Sequence, residues 1–153
     1  SYPVPGFSIA YELTRTGYAT LASACAEMPG VVLSDPESGH YIRFHSTCGV
    51  IANNFLTTAQ HLQKIALSQA LIDGTVANLK QRAPWVRYVW LVRQDNVLDR
   101  SLTPAAARAA NPGLRTLLFD NPNSNELELL WSGPSIDSPH SIGVVARLYR
   151  VIP

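Results

Sequence analysis

The chain has 153 residues, 46% hydrophobic and 15% charged, which is too apolar for intrinsic disorder and the usual length of one domain. Its 12 basic and 11 acidic residues leave a net charge of +1, with no electrostatic footprint of a nucleic-acid binder. No apolar run approaches the roughly 20 residues of a membrane span, and the opening SYPVPG lacks the basic and then apolar regions of a signal peptide, so any leader or membrane tether is expected outside this chain.

In chain order, the spacing predicts a first helix from Ser8 to about Met28. Its apolar positions Tyr18, Leu21, Ala22, Cys25 and Met28 fall on one face. Gly17 weakens its middle, and Pro29-Gly30 ends it. VVL (31–33) is a short strand, SDPESG (34–39) a turn by composition, and the alternating YIRFH (41–45) a second strand that pairs with the first as a hairpin. His40 and His45 differ by five positions and would face opposite sides of that strand, which speaks against a shared metal.

TTAQHLQKIALSQALI (57–72) predicts a helix capped by Thr57 or Thr58. Leu62, Ile65, Ile72, Val76 and Leu79 mark its core face, interrupted by Gln69, and Asp73-Gly74 breaks it before TVANLKQ adds another turn or two. VRYVWLVR (86–93) is a strand with Val86, Tyr88, Trp90 and Val92 on one face and Arg87 and Arg93 on the other. Thr103-Pro104 opens a short helix that Asn111-Pro112-Gly113 closes.

LRTLLF (114–119), ELELLW (126–131) and IGVVARLYRVI (142–152) complete the strands, with Leu127, Leu129 and Trp131 sharing a face. Arg115, Arg147 and Arg150 are expected opposite Glu126 and Glu128 in cross-strand pairs. The polar loop SGPSIDSPHS (132–141) gathers Ser135, Asp137, Ser138 and His140, residue types that loops favour for turn formation.

Short turns between successive strands favour antiparallel pairing. The expected class is therefore α+β, with N-terminal helices packed on a mainly antiparallel C-terminal sheet of four to five strands. One domain spans 1–153, with a helix plus hairpin over 1–57 and a helix plus antiparallel sheet over 58–153.

Two cysteines, Cys25 and Cys48, offer one pairing across 22 intervening residues. A disulfide there suits an oxidising compartment; the alternative is two buried thiols. Neither has a histidine at ligand spacing that would make a zinc site. No Walker loop, GxGxxG, HExxH or CxxC occurs, so no cofactor and no metal is expected.

CGVIANNFLTTAQH (48–61) resembles the stretch that carries the base of chymotrypsin-like proteases. That resemblance implies His61 as base, Asp95, or else Asp73 or Asp99, as the acid that orients it and Ser132 as nucleophile. The residues after His61 have helical periodicity instead, which makes His61 a first-turn residue and the threonines caps.

KQRAPWVRYVWLVRQDNVLDRS and the final IGVVARLYRVI resemble the first hairpin and the last strand of extracytoplasmic PAS-like (Cache-type) sensor domains, over residues 60–152. The resemblance implies a non-enzymatic, extracytoplasmic sensing module with its ligand over the sheet. Arg87, Arg93 and Arg115 are its candidates to hold a carboxylate bidentately, with Trp90 and Trp131 as aromatic lining. A helix on an antiparallel sheet with one disulfide is also similar to pilin-like assembly subunits, which act through protein–protein contacts. The partner is thus a small molecule or a protein, and not a nucleic acid.

Overall fold

A computed structural model describes residues 5–52, 58–93, 103–120, 125–134 and 144–153. Its elements are α1 (Pro5–Glu27), β1 (Val31–Leu33), α2 (Pro36–His45), β2 (Gly49–Val50), α3 (Ala59–Asp73), α4 (Val76–Arg82), β3 (Val86–Val92), α5 (Pro104–Ala110), a 3-10 helix (Gly113–Leu118), β4 (Leu127–Ser132) and β5 (Ala146–Val151). The α+β expectation holds: helices dominate the first half and the longer strands the second.

Five strands form one sheet in the order β2-β1-β3-β5-β4. The sheet is mixed. β1 runs parallel to both β2 and β3, whereas β5 is antiparallel to β3 and to β4. The expected hairpin over 31–45 does not form: β1 leads into α2, and its partners come from Gly49–Val50 and from β3. Asp35-Pro36 explains the difference. Pro36 takes the first helical position with Asp35 as N-cap, where the fixed φ of proline suits a helix start. The apolar and aromatic residues of YIRFH then serve helical spacing. Ile42 is buried, and Tyr41 and His45, four apart, both lie against the Tyr18 ring, at 5.7 and 5.6 Å between centroids.

Two cores flank the sheet. On one face α1 and α2 place Tyr18, Leu21, Cys25 and Ile42 over Val32, Tyr88, Trp90 and Leu148. On the other, α3, α4 and the 3-10 helix place Leu71, Ile72, Leu79, Leu114 and Leu118 over Leu33, Val89, Leu91 and Tyr149. Fully burying one such large side chain contributes about 1.5–3 kcal/mol before entropy is counted. Tyr88, Trp90 and Val92 share the α1 side, as the alternation requires. Val86 instead joins the other core, because the pairing with β1 shifts register between Val31 and Val32. A second shift, between Leu129 and Trp131, breaks the expected common face of β4: Leu127 is buried, Leu129 exposed, and Trp131 packs on the α1 side.

The helices begin as their sequences require. Thr58, Thr75 and Thr103 each accept a hydrogen bond on the side chain from the amide three residues on, at His61, Asn78 and Ala106. In α3 the buried residues are His61, Ser68, Leu71 and Ile72, so the inward stripe is rotated from the expected one and Leu62 is exposed. Gly17, in the middle of α1, is required by packing: a Cβ there would lie 2.7 Å from both the Trp131 and the Trp90 ring.

LRTLLF is a 3-10 helix and not a strand. Gly113, at φ +67°, permits the tight entry and sits so close to Ile72 and Asp73 that a Cβ would fall 2.4 Å from their backbone. The turn carries Leu114 and Leu118 into the core and aims Arg115 toward Asp35.

Cys25 and Cys48 are joined in a disulfide with Cα atoms 5.6 Å apart, which fastens the last turns of α1 to the entry of β2. The Tyr88 hydroxyl donates to the carbonyl of Met28 at 2.7 Å, with that of Ala24 at 3.1 Å, and so covers the exit of the same helix. Among the described residues, no helix is long and apolar enough to cross a membrane.

Candidate functional site

The connections around β1 diverge. β1 passes through α2, on one face, to β2; β2 passes through α3 and α4, on the other face, to β3, which lies on the opposite side of β1. Such a reversal opens a crevice beyond the carboxyl ends of the two parallel strands, where ligands of α/β sheets bind. A cavity of about 560 Å³ lies there, lined by Asp35, Pro36, Glu37, Ser38, Gln69, Val92 and Arg93. Its walls are the residues that follow β1, the first turn of α2, the end of β3 and one side chain of α3.

Asp35 is the N-cap of α2 by position, but its carboxylate makes no cap hydrogen bond. Both oxygens are engaged by Arg115, Oδ1 with Nη2 and Oδ2 with Nη1 at 3.3 Å. Arg115 is 0% exposed, and Nη1 also donates to the carbonyl of Val92. The buried ion pair therefore ties the end of β1 to the end of β3 and to the 3-10 helix. It also leaves the first amides of α2 without a carboxylate cap. Pro36 has no N–H, the Ser38 and Gly39 amides reach the carbonyl of Asp35 at 3.1 and 3.2 Å, and the Glu37 N–H belongs to the group that a helix leaves unmatched at its start.

Arg93, 4% exposed, stands in the cavity wall at the end of β3. Behind Ser38 lies Tyr18, whose hydroxyl is pushed up in pKa by burial, against the opposing effect of its hydrogen bond with Ser38. Burial likewise raises Tyr149, opposed by Arg147.

The expected arginines separate. Arg93 reaches the cavity, and Arg115 sits behind its wall in the pair with Asp35 and not in a cross-strand pair. Arg87 is exposed near the other end of β3, its stem against Gly30. Of the expected sheet pairs, Arg150 with Glu128 forms, on directly opposed residues. Arg147 instead donates to Ser132 Oγ at 3.2 Å and to the carbonyls of Leu117 and Asp120. Trp90 and Trp131 stack on one another, 5.6 Å between centroids, in the α1-side core and not around the cavity.

His61 is a buried residue in the first turn of α3, and Ser132 ends β4. Asp95 and Asp99 lie outside the described residues, as do His140 with Ser135, Asp137 and Ser138, and the second strand of the expected hairpin after β3. The exposed large apolar side chains Met28, Phe44, Leu62, Trp85 and Leu129 stand on five different segments.

Asp35, Glu37 and Ser38 were hidden from a reading by composition because 34–39 looks like a turn. The signal that finds them is Asp-Pro directly after a β-branched run, a helix-start pattern following a strand. The chain matches no family model, no curated protein and no solved structure.

Proposed function

We propose that this chain is a ligand-binding domain of an extracytoplasmic protein, a sensing or capture module that takes a small molecule in the cavity beyond β1 and β3. The observation that carries the reading is the cavity's position at the divergence of the connections, with the buried Arg93 in its wall. Its volume falls in the range of small-molecule sites, and polar groups that converge from several segments, as Asp35, Glu37, Ser38, Gln69 and Arg93 do here, are what such sites use for orientation. The Cys25–Cys48 disulfide supports an oxidising compartment. Recognition is favoured over hydrolysis because 59–73 is helical and one mixed sheet organises the chain, whereas a His61–Ser132 hydrolase of the chymotrypsin type needs two barrels.

A thermal-shift screen with small metabolites tests the reading on the parent chain and on Gln69→Trp, which fills the cavity from the part-exposed face of α3. A ligand at 100-fold its dissociation constant adds about 2.7 kcal/mol of stability, a rise of several degrees for a domain of this size. The expected result is a shift in the parent chain that Gln69→Trp abolishes. A ligand whose shift survives Gln69→Trp places binding elsewhere and contradicts the reading.

A further inference from the structure

We propose that the end of the sheet where β1, β2 and β3 begin is a docking surface for an anionic lipid bilayer. The cavity beyond β1 and β3 opens at the opposite end of the same strands, so such a contact leaves it accessible.

Charge is the first observation. Lys80 and Arg82 stand in the last turn of α4, just before β3. Arg87 is the extra residue where β3 meets β1, since Val31 pairs with Val86 and Val32 with Tyr88. A bulge of this kind re-aims a side chain. The Arg87 stem lies against Gly30, and the side chain borders two depressions. Arg43 arrives near the same end in the last turn of α2. None of these four cations has an acidic partner among the described residues. Glu27, next to Met28, and Glu126, whose carbonyl accepts from the Ile152 amide, oppose them and leave the surface net positive.

Apolar exposure is the second. Three of the five exposed large apolar side chains among the described residues are at this end. Trp85, 47% exposed, immediately precedes β3, and Met28, 48% exposed, borders a depression with Arg87 and Arg150. Phe44, 76% exposed, comes to the same end because Ser46–Cys48 lead straight into β2, where Thr47 Oγ1 donates to the carbonyl of Cys25 at 3.2 Å. An indole set among cations is suited to the headgroup level of a bilayer.

The two depressions, of about 280 and 210 Å³, favour lipid over an acidic protein. Val86, Val151 and Ile152 line them, and among the described residues their only polar side chains are Lys80, Arg87 and Arg150, the last already paired with Glu128. Long cationic stems over apolar surface match diffuse negative charge above an apolar layer. A folded acidic partner presents fixed acceptors, which call for donors of equally fixed geometry.

Sedimentation of the whole chain with vesicles tests this, using phosphatidylcholine alone and phosphatidylcholine mixed with phosphatidylglycerol. Binding is expected to the mixed vesicles only. It should weaken about fivefold in each of Lys80→Gln, Arg82→Gln and Arg87→Gln, weaken in Phe44→Ser, and disappear at high salt. Arg108→Gln, at the cavity end, is expected to leave it unchanged. Brominated acyl chains should quench tryptophan emission in the parent chain and not in Trp85→Ser, because Trp90 is buried and Trp131 is stacked on it.

Equal binding to both vesicle types, or binding that the charge variants leave intact, overturns the proposal. So does the absence of binding to either. Retention on immobilised polyglutamate without vesicle binding overturns the bilayer and assigns the surface to an acidic protein.

Discussion

Asp35 occupies the N-cap of α2, yet its carboxylate caps no amide of that helix and is held by Arg115, 80 residues along the chain. The pairing decides two things at once. It anchors a fully buried guanidinium beneath the sheet's carboxyl end, and it leaves the Ser38 and Gly39 amides of α2 to the backbone carbonyl of Asp35.

Removing one partner leaves the other charge uncompensated, which for a buried pair costs about 3–5 kcal/mol. Asp35→Asn is expected to lower stability toward that range in chemical denaturation. The double variant Asp35→Asn with Arg115→Met is expected to be more stable than Asp35→Asn alone, because no buried charge remains. A single-variant loss below about 1 kcal/mol contradicts the ion pair.

Gly113→Ala meets two penalties. The left-handed backbone costs an L-residue about 1–2 kcal/mol, and the added methyl would sit 2.4 Å from the backbone of Ile72 and Asp73, an overpacking worth about 1–3 kcal/mol more. A fall in melting temperature of many degrees is expected, and an unchanged melt contradicts the 3-10 entry at Pro112-Gly113.

Reduction of Cys25–Cys48 frees a loop with 22 intervening residues, and the unfolded chain regains entropy worth about 3 kcal/mol. Melting with and without reductant measures it, with a lower midpoint expected in reductant. Equal midpoints contradict a bridged native state.

Stability should fall at high pH. Burial raises the pKa of Tyr18, Tyr88 and Tyr149 above the ordinary range of a tyrosine hydroxyl, while the unfolded chain titrates near 10. The folded state therefore holds these protons longer. Its advantage is complete below about pH 10 and is lost as pH rises through the folded values. Absorbance of tyrosinate should show fewer than all six tyrosines ionising near pH 10 while the fold persists. Six ionising together near pH 10 in the folded chain contradicts the burial.

Much of the local structure was legible. The threonine caps at 58 and 103, the break at Asp73-Gly74 and the apolar run 86–92 each mark an element through short-range chemistry. The elements that build the site were less so. YIRFH alternates over five residues, too few to separate a strand from a helix whose Tyr41 and His45 lie one turn apart. LRTLLF is apolar in either conformation, and only Gly113, with its positive φ, distinguishes them. The parallel pairs of β1 join residues far apart in sequence, such as Val32 and Tyr88, which no local pattern records. The partner of Arg115 was missed for the same reason: Asp35 reaches it only after the chain has crossed the sheet twice.

The most direct measurement of the central claim is a backbone amide shift map, recorded during titration with whichever small molecule stabilises the chain. The account expects the largest displacements at Glu37 and Ser38 in the first turn of α2 and at Arg93, with Gln69 following. Displacements gathered instead around Arg87, Val151 and Ile152, at the far end of β3, with the first turn of α2 unmoved, would contradict it.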